Sequence, residues 1–258
     1  LESINFGSSF DTSKVTNMSY MFNFCSKIKE INCDNFDTSK VTNMSYMFCY
    51  CQALKELNLL NFNTSNVTRM ENMFQYCVSL NEMDVRNFNT SKVTNMTLMF
   101  QHCEKIKKLD LSSFDTNKVT KIATMFGSCF SLEELDLSSF DTTNVTAIGT
   151  MTNANYSLKI LKIGEKLDFK INTLSDAGIF GRGMWKRTED GKIFPATEIC
   201  LKSSEMSMAG TYKKISDIST EMKVDFPVTY KIEKLNEINE FLTDREDIFS
   251  VLDNKMVI

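Results

Sequence analysis

The stretch Phe36-Asp37-Thr38-Ser39-Lys40-Val41-Thr42-Asn43-Met44-Ser45-Tyr46-Met47-Phe48 decides the fold, because the chain repeats it every 26 residues. Its opening phenylalanine recurs as Phe10, Phe36, Phe62, Phe88, Phe114 and Phe140, and its valine as Val15, Val41, Val67, Val93, Val119 and Val145. No insertion interrupts the spacing between these copies. A constant period in the twenties is typical of a solenoid, in which each unit buries its apolar side against the next unit.

Each repeat contains two apolar patterns. Leu54, Leu57 and Leu59 follow L-x-x-L-x-L, which predicts a short strand that stacks on its copies in a parallel sheet. The residues spaced to share one face of a short helix are Val41, Met44, Met47, Phe48 and Cys51. The fold class we expect is an α/β repeat solenoid, a leucine-rich-repeat-like right-handed coil with one parallel β-sheet and short helical turns. The Val-Thr-x-Met part is expected to be extended or turn-like, because its first two residues are β-branched.

The polar turn at the start of the motif also repeats. Asp37 and its equivalents, Asn63, Asn89, Asp115 and Asp141, precede Thr-Ser or a similar pair. An Asx side chain can accept a hydrogen bond from its own backbone two residues on. We therefore predict that these residues close the turn and have no other role.

The composition changes after Ile163, which predicts three parts. Residues 1–163 form the solenoid of about six repeats, and residues 164–216 form a small mixed C-terminal cap that covers the open end of the last coil. Asp190-Gly191 predicts a hairpin turn within this cap. The tail, 217–258, either packs on the cap or begins a further module, and Pro227 suggests an edge strand over Met222–Tyr230.

The bulk composition excludes several functions. A net charge of −4 and a pI near 5.3 argue against a nucleic-acid surface. No apolar run is long enough to span a membrane, and the start lacks the pattern of a signal peptide. Leu1 aligns with Leu54 in mid-repeat, so we expect the chain to be cut from a longer protein.

The chain offers little for catalysis or for metal binding. His102 is the only histidine, and adjacent residues such as His102 and Cys103 point apart on a helical turn, so they do not make a nucleophile pair. Cys49-Tyr50-Cys51 is an isolated C-x-C, whereas zinc needs four convergent ligands. No glycine-rich phosphate loop is present. We predict that the chain is not an enzyme and holds no cofactor and no metal.

Five of the eight cysteines share one repeat position: Cys25, Cys51, Cys77, Cys103 and Cys129. Stacked repeats would place neighbours in this column roughly 5 Å apart, a separation that disulfides tolerate. Five thiols cannot all pair within one column, and their apolar neighbours are typical of small buried side chains. We therefore predict free thiols in the core.

The candidate partner-binding face consists of the polar residues between the inward leucines. Its two columns are Glu30, Glu56, Glu82, Lys108 and Glu134, and Asn32, Asn58, Asp84, Asp110 and Asp136. Stacked carboxylates repel one another, so a cation or a basic partner would relieve the repulsion. The alternative is that these residues only keep the surface solvated.

The motif F-D/N-T-S-x-V-T-x-M-x-x-M-F-x-x-C-x-x-L-x-x-L-x-L resembles that of the BspA-like leucine-rich repeat surface proteins, in the 26-residue form found in bacterial and mycoplasma surface proteins of unknown function. The resemblance covers residues 1–163. It implies a non-catalytic recognition or adhesion module, at the cell surface or secreted, that binds an extracellular protein or glycan as a monomer. The alternatives are a structural spacer, or a regulatory or targeting region of a larger toxin or enzyme.

Overall fold

The structure, a computed structural model, describes residues 2–4, 6–7, 9–146, 148–149, 151–169, 183–201, 203 and 208–215, all within the unit Leu1–Ile215. The predicted edge strand over Met222–Tyr230 and the predicted tail, 217–258, lie outside the described residues. Within the described ranges, no helix is both long enough and apolar enough to cross a bilayer. The elements are β1 Ser3–Ile4, β2 Glu30–Ile31, β3 Glu134–Leu137, β4 Ile160–Ile163, β5 Met184–Arg187, β6 Ile193–Pro195, α1 Ala196–Leu201 and β7 Gly210–Lys214.

Successive repeats lie side by side and are joined through the main chain at the Val-Thr-x-Met segment. The Thr68 N–H donates to the Thr42 carbonyl at 2.9 Å, and the Thr94 N–H donates to the Thr68 carbonyl at the same distance. Parallel bridges connect Asn17, Asn43, Arg69, Asn95 and Lys121 in one row. This part of the motif is therefore extended, as predicted.

The leucine segments pair less regularly than predicted. They form parallel strands at β1 with β2, and at β3 with β4, where Leu135 lies opposite Leu161. In the described repeats between these pairs, single hydrogen bonds join the segments, such as Asn81 N–H to the Lys55 carbonyl at 3.1 Å. The prediction of one continuous parallel sheet is therefore wrong, because these middle segments lack the repeated ladder bonds of a sheet.

The predicted helical turns are absent from the described repeats, so the α/β fold class is wrong. The only helix in the described part of the chain is α1, and it lies in the cap. The segment that carries the helix-like spacing, Met44 to Cys51, is a chain of tight turns instead. The Met47 N–H donates to the Met44 carbonyl at 3.3 Å, and the Cys51 N–H donates to the Phe48 carbonyl at 3.1 Å.

A left-handed backbone at two positions of each turn segment explains why no helix forms. Tyr46 and Tyr50 have φ values of 59° and 61°, and the equivalent residues of other repeats share this conformation. The left-handed residues direct alternate N–H groups out of the repeat, so that Phe48 N–H donates to the Met73 carbonyl at 2.9 Å and Tyr50 N–H donates to the Gln75 carbonyl at 2.8 Å. An α-helix needs every N–H for its own i−4 carbonyl. Here half of them bond to the next repeat.

The core consists of the columns that the repeat predicted. Phenylalanine, valine, methionine, cysteine and leucine positions are buried in successive repeats; Val67, Met70, Phe74, Cys77 and Leu80 of one repeat are each 0% exposed. Phe48, Phe74 and Phe100 stack with ring centroids 5.6 to 5.7 Å apart. The prediction of an apolar core built from these five columns is confirmed.

A column of buried threonines also links the repeats, and the sequence did not single it out. The Thr64 hydroxyl donates to the Asn89 carbonyl at 3.0 Å and accepts from the Asn89 N–H at 2.7 Å. Each threonine at this position makes the same pair of bonds to the repeat that follows: Thr12, Thr38, Thr64, Thr90, Thr116 and Thr142. One hydroxyl thus satisfies both main-chain polar groups of a residue in the next turn, where no strand ladder reaches.

The C-terminal part covers the last repeat. Strand β7 pairs antiparallel with β4, with Tyr212 opposite Leu161, and the sheet order is β3-β4-β7-β5-β6. Strands β5 and β6 are antiparallel around Asp190-Gly191, where the sequence predicted a turn, and Gly191 has a φ of 72°. Trp185 and Tyr212 are both fully buried. Pairing with β7 occupies the β4 edge that would otherwise be open to another strand.

All eight cysteines are free thiols, and seven of them are buried. Cys77 donates to the Phe48 carbonyl and Cys103 donates to the Phe74 carbonyl, at 3.2 and 3.3 Å. Burial raises the pKa of Cys51 to about 12 and that of Cys129 to about 12. The buried thiols Cys51 and Cys129 therefore remain protonated and shielded, whereas Cys25 is half-buried and is the most accessible thiol.

We predict that iodoacetamide modifies Cys25 first in the folded protein and leaves the buried thiols intact. In denaturant without a reductant, all eight should be modified, because none is in a disulfide. Intact-mass spectrometry under the two conditions counts the labelled sites. Two or more blocked sites in denaturant would contradict the free-thiol structure, since one disulfide blocks two thiols.

We predict that Thr90→Val lowers the free energy of unfolding by about 1–3 kcal/mol, because the main-chain N–H and carbonyl of Asp115 both lose the buried Thr90 hydroxyl as their partner. Urea denaturation measures the change. Thr94→Val is the matched control, since its exposed hydroxyl only supplements a main-chain bond to the Thr68 carbonyl. Equal losses in the two variants would show that the buried column has no special role.

Candidate functional site

The Asn and Asp column of the predicted partner-binding face is a row of turns. The Asn58 Oδ1 accepts from the Leu60 N–H at 3.2 Å, and the Asp110 Oδ1 accepts from the Ser112 N–H at 3.1 Å. Asn32, Asp84 and Asp136 accept in the same way from the N–H two residues on. One side-chain oxygen of each residue is therefore committed to its own backbone. The Asp37 column forms the same turns, as predicted.

The chain's own basic residues neutralise much of this face. Arg86 Nη2 lies 2.7 Å from Asp84 Oδ2, and Lys108 Nζ lies 3.1 Å from Glu134 Oε2. Lys162 bridges Glu134 and Asp136 at 3.3 and 2.9 Å. The repulsion that the sequence predicted along the carboxylate column is thus relieved within the chain. In the described ranges, no cluster of histidine, cysteine, aspartate or glutamate is arranged to hold a metal ion.

The pKa values of the carboxyl groups follow from these pairs. Burial alone would raise the pKa of Glu134, but hydrogen bonds from Lys108 and Lys162 outweigh it and lower the pKa. The pKa of Asp136 follows the same pattern. Burial would raise it, but hydrogen bonds from Ser138 and Lys162 outweigh this effect and lower it. The hydrogen bonds from Arg86 hold the pKa of Asp84 to about 2. These carboxylates are therefore charged at neutral pH.

A polar cleft of about 300 Å³ opens on this face between the last repeats. Four of the ten predicted residues line it, together with Lys162, three serines and two leucines: Lys108, Asp110, Glu134, Asp136, Ser112, Ser138, Ser139, Leu109 and Leu111. Glu30, Asn32, Glu56, Asn58, Glu82 and Asp84 are not part of its wall. The cleft presents both signs of charge and several hydroxyl groups, a lining that suits a polar ligand with donors and acceptors.

The turn segments carry two rows of surface aromatic rings that the sequence analysis missed, and we call them the aromatic ladders. In the longer one, Phe24, Tyr50, Tyr76 and His102 stack with centroids 4.5, 4.4 and 4.2 Å apart and interplanar angles of 11° to 14°. In the shorter one, Tyr20 stacks on Tyr46 at 4.6 Å and 6°. The recurrence of aromatic residues at these two positions in successive repeats was the available signal.

All residues of the ladders have a left-handed backbone. Tyr20, Phe24, Tyr46, Tyr50, Tyr76 and His102 have φ between 58° and 63°. This conformation costs roughly 1–2 kcal/mol for a residue other than glycine, and bulky residues adopt it rarely. Stacking returns about 0.5–1.5 kcal/mol for each aromatic pair. The backbone therefore aims these rings at the surface at a cost that their mutual stacking partly offsets.

The third copy of the repeat differs from its two neighbours in the turn beside the ladders. Asn17, Asn43 and Asn95 close turns by accepting from the N–H of the residue two further on. In the third copy, Arg69 and Glu71 replace this pair, and an ion pair between them replaces the turn. The Glu71 side chain is 6% exposed, and its Oε2 has no hydrogen-bond partner. Next to it, Asn72 Nδ2 donates to Gln75 Oε1 at 2.7 Å.

His102 and Cys103 have separate partners. The His102 Nδ1 lies 3.2 Å from Glu104 Oε1, and its ring stacks on Tyr76. The Cys103 thiol bonds to a carbonyl in the core, and burial raises its pKa well above the ordinary value. The thiol is thus held as a neutral core group, away from the imidazole's partners.

A family model described as a Mycoplasma protein of unknown function, DUF285, matches the chain over residues 3–62 and 50–162. No curated protein matches it. Among solved structures, the functional domain of InlJ from Listeria monocytogenes, described as including a cysteine ladder, is similar at 15% identity and a TM-score of 0.18. That alignment covers 69% of this chain and 49% of the other, so the chain spans about half the length of that structure. This TM-score is too low to indicate a shared fold.

We predict that the Asp84 carboxyl titrates with a midpoint near pH 2, because Arg86 hydrogen-bonds to its charged form. A pKa depressed below the unfolded value stabilises the fold at pH above about 4, and the effect is lost as the pH falls towards 2. Carbon-detected NMR titration measures the midpoint. In Arg86→Gln the midpoint should rise towards 3.8, and a wild-type midpoint already near 3.8 would refute the pairing.

Proposed function

The chain belongs to the DUF285 family of Mycoplasma proteins of unknown function, and from this premise we propose that it is a non-catalytic recognition module. Its ligand is an extracellular protein or glycan, and its site is the polar cleft on the leucine-segment face. We propose further that its repeats are of the BspA-like 26-residue kind and that the module acts at the cell surface or in secreted form.

The polar cleft is the observation that carries this proposal. It gathers Lys108, Asp110, Glu134 and Asp136 from consecutive repeats, together with Lys162. The side chain of Lys108 is 69% exposed although it pairs with Glu134, so its ammonium group is accessible to a ligand. Such exposed ion pairs contribute little to stability and are readily exchanged for contacts to a ligand.

The cleft matches a ligand that offers both donors and acceptors. The carboxylates accept from hydroxyl or ammonium groups, and Lys108, Lys162 and the serine hydroxyls donate to carbonyl, hydroxyl or carboxylate oxygens. Peptide main chains and sugar hydroxyls both have this mixed character. Glu134, Asp136 and Lys162 of this lining lie on the paired strands β3 and β4, and this pairing fixes their backbone before a ligand binds.

We predict that Asp110→Asn/Asp136→Asn weakens binding of the protein's ligands by about tenfold or more, equivalent to about 1.4 kcal/mol. Asn58 forms the same turn as Asp110 in its own repeat, so the substitution removes charge and retains the backbone. The measurement is binding to an array of extracellular-matrix proteins and glycans, followed by affinity determination for each ligand found.

Asp37→Asn/Asp115→Asn is the matched control, because Asn63 and Asn89 already occupy that turn column. It removes two charges away from the cleft and should leave binding unchanged. If neither wild type nor control binds anything on the array, the module is a spacer and the proposal fails. Binding that both double variants retain would place the site outside the cleft.

A further inference from the structure

The rings of the aromatic ladders are not required by the backbone that holds them. Leu98 and Thr124 occupy the same repeat position as Tyr20 and Tyr46, with φ values of 59° and 54°. Ser128 and Ala154 occupy the position of Tyr50 and Tyr76, with φ values of 58° and 59°. Small and aliphatic side chains thus support the same turn in the later repeats. The turn conformation therefore does not explain why the earlier repeats carry large rings at these strained positions.

The stacking geometry determines which ring atoms a partner can reach. Both faces of Tyr50 are covered, by Phe24 and by Tyr76, and both faces of Tyr76 are covered, by Tyr50 and by His102. Tyr50 and Tyr76 therefore present their edges to the solvent, whereas Phe24 and Tyr20 each have one face covered by a ladder ring. Phe24 and Tyr20 are 66% and 54% exposed, so the surface is open.

The ladder rings themselves offer mainly hydrogen-bond donors and positive ring edges, and the Glu104 carboxylate at the end of the longer ladder is paired with His102. An aromatic edge carries the positive part of the ring quadrupole, and a tyrosine hydroxyl donates. The Arg69 side chain is 55% exposed while its buried partner Glu71 is 6% exposed, so the outward charge of this pair is positive. A complementary ligand supplies acceptors, namely carboxylate and carbonyl oxygens.

We propose that the aromatic ladders are a docking surface for an acidic polypeptide segment that lies along them, with carboxylates and main-chain carbonyls directed at the ring edges and Arg69. Tyrosine and arginine dominate the energetics of protein interfaces. Stacked rings have already lost their rotameric freedom, so a partner that buries them loses little more conformational entropy.

The same geometry disfavours a neutral glycan as the occupant. Sugar rings stack on aromatic faces, and neighbouring rings cover both faces of Tyr50 and Tyr76, the two rings at the centre of the longer ladder. A polypeptide does not need access to the ring faces, because it offers a carbonyl oxygen at every residue that can contact the ring edges. This surface is formed by turn residues between positions 20 and 102, whereas the polar cleft is formed by leucine-segment residues between positions 108 and 162. The two can therefore be tested separately.

The test uses the full chain to select binders from a phage library of random 12-residue peptides, in parallel with an array of neutral and sulfated glycans. Enriched peptides are synthesised, and their affinity is measured by fluorescence anisotropy. Peptides rich in aspartate and glutamate should be enriched, and Tyr50→Ser/Tyr76→Ser should bind them about tenfold more weakly. Hydrogen exchange of the wild-type complex should show protection in the turn segments around residues 20–24, 46–50 and 72–76.

The variants are chosen to retain the fold. Serine occurs at the equivalent position as Ser128, and thermal denaturation checks that the double variant is folded. If it is not, Tyr46→Asn replaces it, because Asn72 holds the same position with a φ of 59°. Leu60→Ser removes an exposed apolar side chain outside the ladders and is the matched control, because serine holds the same repeat position, as Ser112 and Ser138.

The proposal is overturned if no acidic peptide is enriched, or if the ladder variants bind the selected peptides as well as wild type does. Glycan binding that is lost in Tyr50→Ser/Tyr76→Ser would also overturn it, since the surface would then serve a different class of ligand. Loss of peptide binding in the cleft variant with the ladder variant unaffected would assign the peptides to the polar cleft.

Discussion

Hydrogen bonding of alternate main-chain N–H groups to the next repeat is the constraint on which the structure depends. Tyr46, Phe48 and Tyr50 each donate to a carbonyl 25 residues further on, while the N–H groups between them close tight turns. Without these bonds the turn segments would lack partners for half of their main-chain donors. The 26-residue period keeps the donors and acceptors in register. A repeat with one residue more or fewer would misalign both the bonds and the core columns.

The left-handed residues that this arrangement needs also decide the character of the surface. In the first two repeats both left-handed side chains are aromatic, whereas the third repeat has the buried Asn72 beside the aromatic Tyr76. The core side tolerates little variation, since each buried column packs against its copies in the neighbouring repeats. Variation is therefore concentrated outside these columns, for example at Arg69 and Glu71, where an ion pair replaces a turn.

The leucine-segment face shows how a column of like charges is accommodated in a stack of repeats. Each Asn or Asp commits one oxygen to its own turn, and Arg86, Lys108 and Lys162 balance much of the remaining negative charge. What remains is a face with paired but exposed charges and one cleft, rather than a strongly acidic field. Such a face fits recognition by complementary polar contacts, which give specificity more than affinity.

The sequence by itself determined the period, the five apolar core columns, the Asx turns of the Asp37 column and the position of the hairpin at Asp190-Gly191, because each depends on residue type and local spacing. The tertiary structure decided the rest. The spacing of Met44, Met47, Phe48 and Cys51 suits one face of a helix, yet it also suits alternating turns, and periodicity alone does not distinguish them. The choice rests on hydrogen bonds between repeats, which a local pattern does not contain. For the same reason the polar cleft and the aromatic ladders became apparent only when residues 26 apart were placed side by side.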